Sequence, residues 1–359
     1  MTIGALPSQT LRQMISSGAI AAKAPVTDAQ IQPASLDLRL GTKAWRVRAS
    51  FLSGKDRTVK ERIADFQMHE VALEGGAVLE KGCVYVIPLM EGLDLPAEIS
   101  GAASAKSSIG RLDLFTRLIT DQGDEFDRIK PGYKGPLYAE VSPRSFSVVV
   151  HPGLCLNQVV FRKGDGRLSD DEHRALHDEV GLVNGEAHID EGLGFSVDLT
   201  PNDTGIVGYR AKPHTGLIDL NNLNHYDPAD YWEPVRPQNG ALILDPGAFY
   251  ILVSREAVHV PPNYAAEMAP YVAMVGEFRV HYAGFFDPGF GHAPAGGHGS
   301  RGVLEVRCHE APFVLEHGQI VGRLVYEHMT QTPDIIYGLD LKSNYQGQGL
   351  KLSKHFKSA

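Results

Sequence analysis

The chain has 359 residues, of which 43% are hydrophobic, and a formal net charge of −9. This length suits about two domains, and the acidic charge argues against a general nucleic-acid binder because it repels phosphate backbones at long range. The sequence has no run of about 18 apolar residues, so we expect no membrane-spanning helix and no membrane partner.

The cysteines and the first residues bear on the cellular compartment. Cys83, Cys155 and Cys308 stand far apart and form no CxxC pair. A disulfide scaffold and a thiolate zinc site both need closer or paired spacing. Residues 1–10 lack the basic start and apolar run of a signal peptide. We therefore expect a cytoplasmic protein without catalytic zinc.

The predicted elements, taken in chain order, are mostly short strands with few helices. Residues 9–16 and 170–180 are the helix candidates, and Ser169 with Glu172 forms a capping box before the second. Residues 35–40 alternate apolar and polar side chains, as a half-buried strand does. The other strand candidates are 84–89, 148–150, 158–161 and 249–253. Many short strands with turn signals indicate a sandwich, barrel or jelly roll.

The chain contains an internal repeat. Residues 79–96 match residues 244–261 at an offset of 165, and the same offset relates Glu140 to Glu305. A register that returns after compensating insertions indicates duplication of one unit. The predicted organisation is a first domain at 1–168, a helical linker at 169–191 and a second domain at 192–359.

Four segments carry a resemblance to a known family. They read IQPASLDLRLG at 31–41, KSSIGRLDL at 106–114, PGYKGPLYAEV at 131–141 and YGLDLKSNYQGQGLKLS at 337–353. In this order they resemble dCTP deaminases, within the trimeric dUTPase superfamily. The resemblance implies an all-β fold with few short helices, in which a dUTPase-like (β-clip or jelly-roll-like) domain is duplicated in tandem. It also implies that the second domain ends in a C-terminal lid.

The KSSIGR segment has the chemistry of a phosphate site. Two serines beside a glycine present hydroxyls and backbone N–H groups, while Lys106 and Arg111 supply positive charge. Ser108 and Gly110 belong to this predicted substrate-binding set. The resemblance also places Ser107 and Arg111 at the chemical centre. Lys106 stands where the family commonly has arginine, so it keeps the charge but loses the bidentate geometry.

Two glutamates are candidates for the catalytic role. The resemblance assigns this role to Glu140, whose carboxylate would first activate a water as a base and then return the proton as an acid. Arg111 could hold Glu140 or a neighbouring group in place, and Ser107 could orient the water. Glu305 is the equivalent residue in the repeat, and the sequence leaves the choice open.

A composite site between domains is a further expectation. The second half has Tyr-Val-Ala at 271–273 where the first has Lys-Ser-Ser at 106–108, but it keeps Asp287 before Pro-Gly, where the family usually carries an acidic residue. The serine segment of a first half could therefore meet a partner domain. The residues that this partner could supply are Glu305, Asp287, Tyr337, Tyr345 and Gln348. In the tail, Lys342 and Gln348 could contact the phosphates.

The resemblance implies metal-independent hydrolytic deamination of dCTP to dUTP and ammonia, which supplies dUTP for dTTP synthesis. Mg²⁺ would accompany the triphosphate, dTTP or dUTP could act as inhibitor, and the expected assembly is a homo-oligomer with three-fold packing, a trimer. The alternatives are a bifunctional dCTP deaminase and dUTP diphosphatase, or a non-catalytic nucleotide-binding paralogue. The histidines between 281 and 309 match no usual metal-ligand spacing, so we expect an exposed loop there.

Overall fold

The computed structural model describes residues 2–270, 278–281, 284–293, 299–338, 347 and 349–358. Strands dominate these residues, and the helices are short. The helices are α1 (Ser8–Ser16), α2 (Val59–Phe66), α3 (Ser107–Gly110), α4 (Asp170–Val180) and α5 (Pro228–Tyr231), with a 3₁₀ turn at Asp28–Gln30. Among the described ranges, no helix is long and apolar enough to cross a membrane.

The first half of the chain forms two main antiparallel sheets. Its strands are β1 (Gly4–Ala5), β2 (Ile20–Ala22), β3 (Leu36–Arg39), β4 (Lys43–Val47), β5 (Gln67–Ala72), β6 (Ala77–Leu79), β7 (Val84–Asp94), β8 (Ile99–Ala105), β9 (Leu114–Thr120), β10 (Arg128–Ile129), β11 (Lys134–Pro143), β12 (Val148–Val150) and β13 (Cys155–Lys163). One sheet has the order β1-β13-β8-β10 with β3 also on β13, and the other has the order β5-β4-β7-β11-β9 with β2 on β7.

The second half contributes the remaining strands. They are β14 (Leu193–Ser196), β15 (Gly208–Ala211), β16 (Ile218–Asp219), β17 (Trp232–Val235), β18 (Ala241–Leu244), β19 (Phe249–Val258), β20 (Tyr264–Pro270), β21 (Phe278–His281), β22 (Phe285–Phe286), β23 (Ser300–Cys308), β24 (Phe313–Glu316) and β25 (Ile320–His328). The sheet orders are β14-β25-β20-β22 and β17-β15-β19-β23-β21, and β18 pairs with β24.

The two halves have the same strand order. The path β3-β13-β8-β10 corresponds to β14-β25-β20-β22, and β5-β4-β7-β11-β9 corresponds to β17-β15-β19-β23-β21. The register follows the offset of 165 seen in the sequence, since Glu140 lies opposite Val86 on β7 and Glu305 lies opposite Ile251 on β19. The equivalent glutamates therefore occupy the same place in the two sheets.

Most of the predicted elements lie where the sequence placed them. The helix predicted at 170–180 is α4, and the Ser169 N–H donates to the Glu172 carboxylate at 2.7 Å as a capping box requires. The strands predicted at 84–89 and 249–253 are the starts of the longer β7 and β19. The prediction of a half-buried strand at 35–40 was wrong in its exposure. Asp37 on β3 is 5% exposed, because other elements cover both faces of that strand.

The halves differ in the insertion that each carries at one equivalent position. The first insertion, residues 48–66 between β4 and β5, contains α2 and folds back over its own sheet. Its Phe51 and Ile63 pack in one apolar cluster with Val86 and Tyr138. The second insertion, residues 212–231 between β15 and β17, instead crosses to the first half, where β16 pairs in parallel with β12. The first half is therefore covered both by its own insertion and by the second half.

One apolar core is shared by both halves. The main cluster joins first-half residues such as Leu36 and Ile87 with Trp232, Ile251 and Phe356 from later in the chain. Full burial of each such large apolar side chain stabilises the fold by roughly 1.5–3 kcal/mol. The face of the second-half sheet that carries Ile251 thus packs toward the first half.

Candidate active site

Residues 106–111, called the serine turn below, link the two sheets of the first half. β8 ends just before this segment and β9 begins just after it. Within the segment α3 forms a single helical turn, and the Gly110 N–H donates to the Lys106 carbonyl oxygen at 3.0 Å. Ser107 is exposed whereas Ser108 is buried. The Ser107 side chain is therefore the one of the pair that a ligand can reach directly.

Charged groups converge at the start of the serine turn. Lys106 forms an ion pair with Asp37 of β3. Burial raises the pKa of Asp37 against the opposing effect of Lys106. Lys354, from the C-terminal segment, lies close enough for its charge to act on both groups. Burial is the main cause that lowers the pKa of Lys354, and the positive charge of Lys106 lowers it further. The charges of Glu91 and Asp287 also act within this group, so cations and carboxylates lie close together here.

The end of the serine turn meets the second half. Arg111 is 2% exposed, and Glu305 on β23 is 5% exposed. Burial raises the pKa of Glu305 well above its ordinary value, the positive charge of Arg111 acts to lower it, and the negative charge of Asp113 adds to the rise. The serine turn of one half and the glutamate of the other therefore lie together in a single chain.

Glu140 has a different environment. It is 1% exposed, and its Oε1 accepts hydrogen bonds from Nη2 of Arg117 at 2.5 Å and from Nε at 3.1 Å. The sequence had suggested Arg111 as a possible holder of Glu140, but Arg117 fills this role because it lies directly opposite on β9. Arg117 also donates to Ser50 Oγ of the first insertion at 2.7 Å and stacks on the Phe126 ring. Glu140 is thus enclosed by its own half.

Asp287 and Tyr337 lie on the second-half side of the boundary. The Asp287 Oδ1 accepts a hydrogen bond from the Ala34 N–H at 3.2 Å, just before β3. Burial raises the pKa of Asp287 to about 7 despite this hydrogen bond. The Tyr337 N–H donates to the Pro288 carbonyl oxygen at 3.0 Å, and its ring lies 5.8 Å from that of Phe290. Tyr337 therefore packs beside the turn that follows Asp287.

Residues 349–358 dock against the serine turn. Ser353 Oγ donates to the Ser108 carbonyl oxygen at 2.7 Å, and it lies 2.9 Å from Nδ1 of His355. Arg111 Nη1 donates to the Lys351 carbonyl oxygen at 3.0 Å. This segment also lines a cavity of about 390 Å³.

The predicted C-terminal lid is only partly described. Lys342, Tyr345 and Gln348, which the sequence offered as substrate-binding residues, lie outside the described residues. Beyond them, Ser353 and His355 are buried, because this part of the tail packs into the fold.

In the part of the chain that the structure describes, no group of three or more His, Cys, Asp or Glu side chains is placed to hold a metal ion. In the histidine-rich segment, His292 Nδ1 lies 2.6 Å from Nε2 of His259, and the two rings stack. His298 lies outside the described residues.

Sequence reasoning missed three residues of this region. The alternating pattern of residues 35–40 predicts only a structural role for Asp37, although an acidic residue among apolar strand neighbours indicates a buried partner. Arg117 carried no motif, and Lys354 lies after the last residue of the recognised tail motif. Their roles depend on contacts between segments far apart in the chain.

Comparisons with known proteins agree on one family. Residues 2–165 match the model described as the 2'-deoxycytidine 5'-triphosphate deaminase (DCD) N-terminal domain, and residues 169–356 match the model of its C-terminal domain. A crystal structure of 2'-deoxycytidine 5'-triphosphate deaminase from Agrobacterium tumefaciens is 54% identical in sequence. It superposes with a TM-score of 0.90, over 93% of this chain and 100% of that chain.

Curated relatives match about half of the chain. The dUMP-forming dCTP deaminase of Sulfurihydrogenibium sp. is 28% identical over 165 residues, which are 45% of this chain and 85% of that protein. The dCTP deaminase of Natronomonas pharaonis is 29% identical over 161 residues, 44% of this chain and 78% of that protein.

Proposed function

The chain belongs to the 2'-deoxycytidine 5'-triphosphate (dCTP) deaminase family of enzymes, and from this membership we propose how its residues carry out the reaction. Hydrolytic deamination replaces the 4-amino group of cytosine by oxygen, so that dCTP and water give dUTP and ammonia. We place this chemistry between the serine turn and Glu305. The observation that carries the proposal is the buried proximity of Arg111 and Glu305 across the boundary between the halves.

Glu305 acts as base and then as acid in the proposed mechanism. Its carboxylate removes a proton from a water whose oxygen bonds to C4 of cytosine. The same group delivers this proton to N3, then takes the proton of the new C4 hydroxyl and gives it to the 4-amino nitrogen, so that the C4–N bond breaks, ammonia leaves and the C4 carbonyl forms. A raised pKa suits both steps, because a group that titrates closer to the working pH accepts and returns a proton readily.

Arg111 and Ser107 support the reacting water and the cytosine ring. The guanidinium of Arg111 would supply a fixed positive charge near the groups on which negative charge develops, namely N3 and the oxygen bonded to C4. Ser107 is exposed at the rim of the serine turn, which lets its hydroxyl orient the water or contact the nucleotide. In this mechanism the carboxylate activates the attacking water, whereas other deaminases use a metal-bound hydroxide.

Glu305 is favoured over Glu140 because the two glutamates face different surroundings. Glu140 forms its ion pair with Arg117 beneath the first insertion. Glu305 faces the first half, which contributes Arg111. Each chain would then hold one composite site, which uses Glu305, and Glu140 would be a structural residue.

The triphosphate would lie toward the start of the serine turn. Lys106 and Lys354 supply positive charge there, and Lys106 would exchange its partner Asp37 for phosphate oxygens. Ser108 and Gly110 shape the serine turn, while Asp287 and Tyr337 would line the nucleotide site on the side of the second half. Mg²⁺ would enter bound to the triphosphate as part of the substrate.

Duplication and oligomer formation are part of the proposal. A single-copy relative aligns over 85% of its own length with only 45% of this chain, and the two halves have the same strand order. Both observations support a tandem pair of dUTPase-like domains. A homotrimer, with dTTP or dUTP as inhibitor, remains a prediction from the resemblance.

A second candidate function has an observation in its favour. The relatives from Sulfurihydrogenibium sp. and Methanobrevibacter smithii are both named dUMP-forming dCTP deaminases. A bifunctional enzyme would also break the bond between the α- and β-phosphates, giving dUMP and pyrophosphate. The two candidates therefore differ in one product.

The deciding experiment measures all products from dCTP and Mg²⁺. We expect equal amounts of ammonia and dUTP without pyrophosphate, and we expect the activity to survive a zinc-selective chelator. Ammonia with dUMP and pyrophosphate would establish the bifunctional reaction. Absence of ammonia would refute the proposed function, and loss of activity with the chelator, restored by zinc, would refute the metal-independent mechanism.

A further inference from the structure

Asp113 has an unusual backbone conformation immediately after the serine turn. Its φ is 53°, in the left-handed region that few residues other than glycine adopt. Two backbone hydrogen bonds fix it there: the Asp113 N–H donates to the Gly110 carbonyl oxygen at 2.8 Å, and the Arg144 N–H donates to the Asp113 carbonyl oxygen at 3.0 Å. The side chain is fully buried, so its carboxylate has a defined position.

The Asp113 carboxylate reaches across the boundary between the halves. It forms an ion pair with Arg307 of β23, whose side chain is 18% exposed. Ser145 of the first half completes the group, since its Oγ donates to Asp113 Oδ2 at 2.6 Å and accepts from Arg307 Nη2 at 3.1 Å. Three side chains from two halves therefore form one closed set of contacts, called the clasp below.

The clasp acts on the strand that carries Glu305. Glu305 and Arg307 are two residues apart on β23, so their side chains project from the same face of the sheet. Asp113 stands two residues after Arg111 in the first half. We propose that Asp113, Arg307 and Ser145 are positioning residues that fix Glu305 relative to Arg111. This inference rests on the proposed function of Glu305.

The clasp also has an electrostatic effect. The charged groups of the described residues that act on Glu305 are Arg111, which lowers its pKa, and Asp113, which raises it. On the neighbouring strands, the register places Ile251 and His281 opposite Glu305. Neutralising Asp113 removes a nearby negative charge, so Glu305 loses its proton at a lower pH. The acidic limb of kcat/KM then moves to lower pH.

Two variants separate geometry from charge. Asp113→Asn keeps the shape and tolerates the left-handed conformation, and we expect it to move the acidic limb of kcat/KM for dCTP down by about one pH unit. Arg307→Lys keeps the charge but loses the planar fork. We expect it to lower kcat roughly 10–100-fold through misplacement of Glu305.

A matched control removes the same kind of contact elsewhere. Arg162 pairs with Glu327 at 2.6 Å, also across the two halves and also largely buried. Arg162→Lys should lower the thermal midpoint as Arg307→Lys does, while kcat and the acidic limb stay at their wild-type values. Ser145→Ala removes only one member of the clasp. It replaces Asp113→Asn and Arg307→Lys in the test if those two variants do not fold.

The outcomes decide between positioning and mere structure. An unmoved acidic limb in Asp113→Asn together with wild-type kcat in Arg307→Lys would overturn the proposal. The same holds if Arg162→Lys moves the limb as far as Asp113→Asn does. If the wild-type enzyme releases no ammonia from dCTP, the proposed function fails instead, so the two failures can be told apart.

Discussion

Replacing Glu305 by glutamine tests the proposed catalytic role most directly. Gln keeps the size and one hydrogen-bond acceptor but cannot take a proton. Loss of an acid–base group costs roughly 10²–10⁴ in rate, which corresponds to about 2.7–5.5 kcal/mol of transition-state stabilisation. Stability should not fall with it, because Glu305 is buried and its pKa is raised, so ionisation opposes folding. We expect Glu305→Gln to unfold at an equal or higher urea concentration at pH 8.

Glu140→Gln is the matched control in the equivalent place of the other half. Glu140 accepts two hydrogen bonds from Arg117, and a neutral partner weakens them. We expect a loss of about 1–3 kcal/mol in the free energy of unfolding, with kcat unchanged. The assay is ammonia release at saturating dCTP, alongside urea unfolding of each variant. The reasoning is refuted if Glu140→Gln loses as much activity as Glu305→Gln, or if Glu305→Gln stays fully active.

Three further predictions concern stability. Burial raises the pKa of Asp287 to about 7, so its contribution to stability is present below pH 4 and is lost as the pH rises through 7. The free energy of unfolding of Asp287→Asn, measured relative to the wild type, should therefore rise by up to about 4 kcal/mol between pH 4 and pH 8. A difference in urea unfolding that does not change with pH would contradict this. Phe356→Ala should cost about 3–5 kcal/mol, because the ring is buried against Tyr231 and Trp232; a thermal midpoint near the wild-type value would contradict it. Burial lowers the pKa of His355 to about 4, so the docking of 349–358 should keep its full strength above pH 6.5 and weaken as the pH falls to 4. Hydrogen-exchange protection of these residues checks this, and unchanged protection at pH 4 would count against it.

Much of the fold could be predicted from periodicity, turns and the internal repeat. The helix α4 was found because its capping box and apolar spacing are local signals. The helix α2 was missed, although Thr58 and Glu61 form a capping box of the same kind. That helix has only eight residues, and its stability depends on packing over the sheet rather than on its own sequence.

The site could be predicted only as a set of alternatives. Short recognisable segments supplied Ser107, Arg111 and Glu140, and the internal repeat supplied Glu305. Whether Arg111 meets Glu140 or Glu305 depends on how the two halves pack, which no local pattern encodes. Asp113 shows the same limit, since its partner Arg307 lies 194 positions further along the chain.

The shared apolar core has a consequence for biosynthesis. The cluster that contains Leu36 and Ile87 of the first half also needs Trp232, Ile251 and Phe356. A ribosome adds roughly 5–20 residues per second, so about 190 further residues take on the order of 10–40 s after the first half has emerged. During that interval the nascent first half exposes an apolar surface that only the later chain covers, and this is the period in which a chaperone would have most to bind.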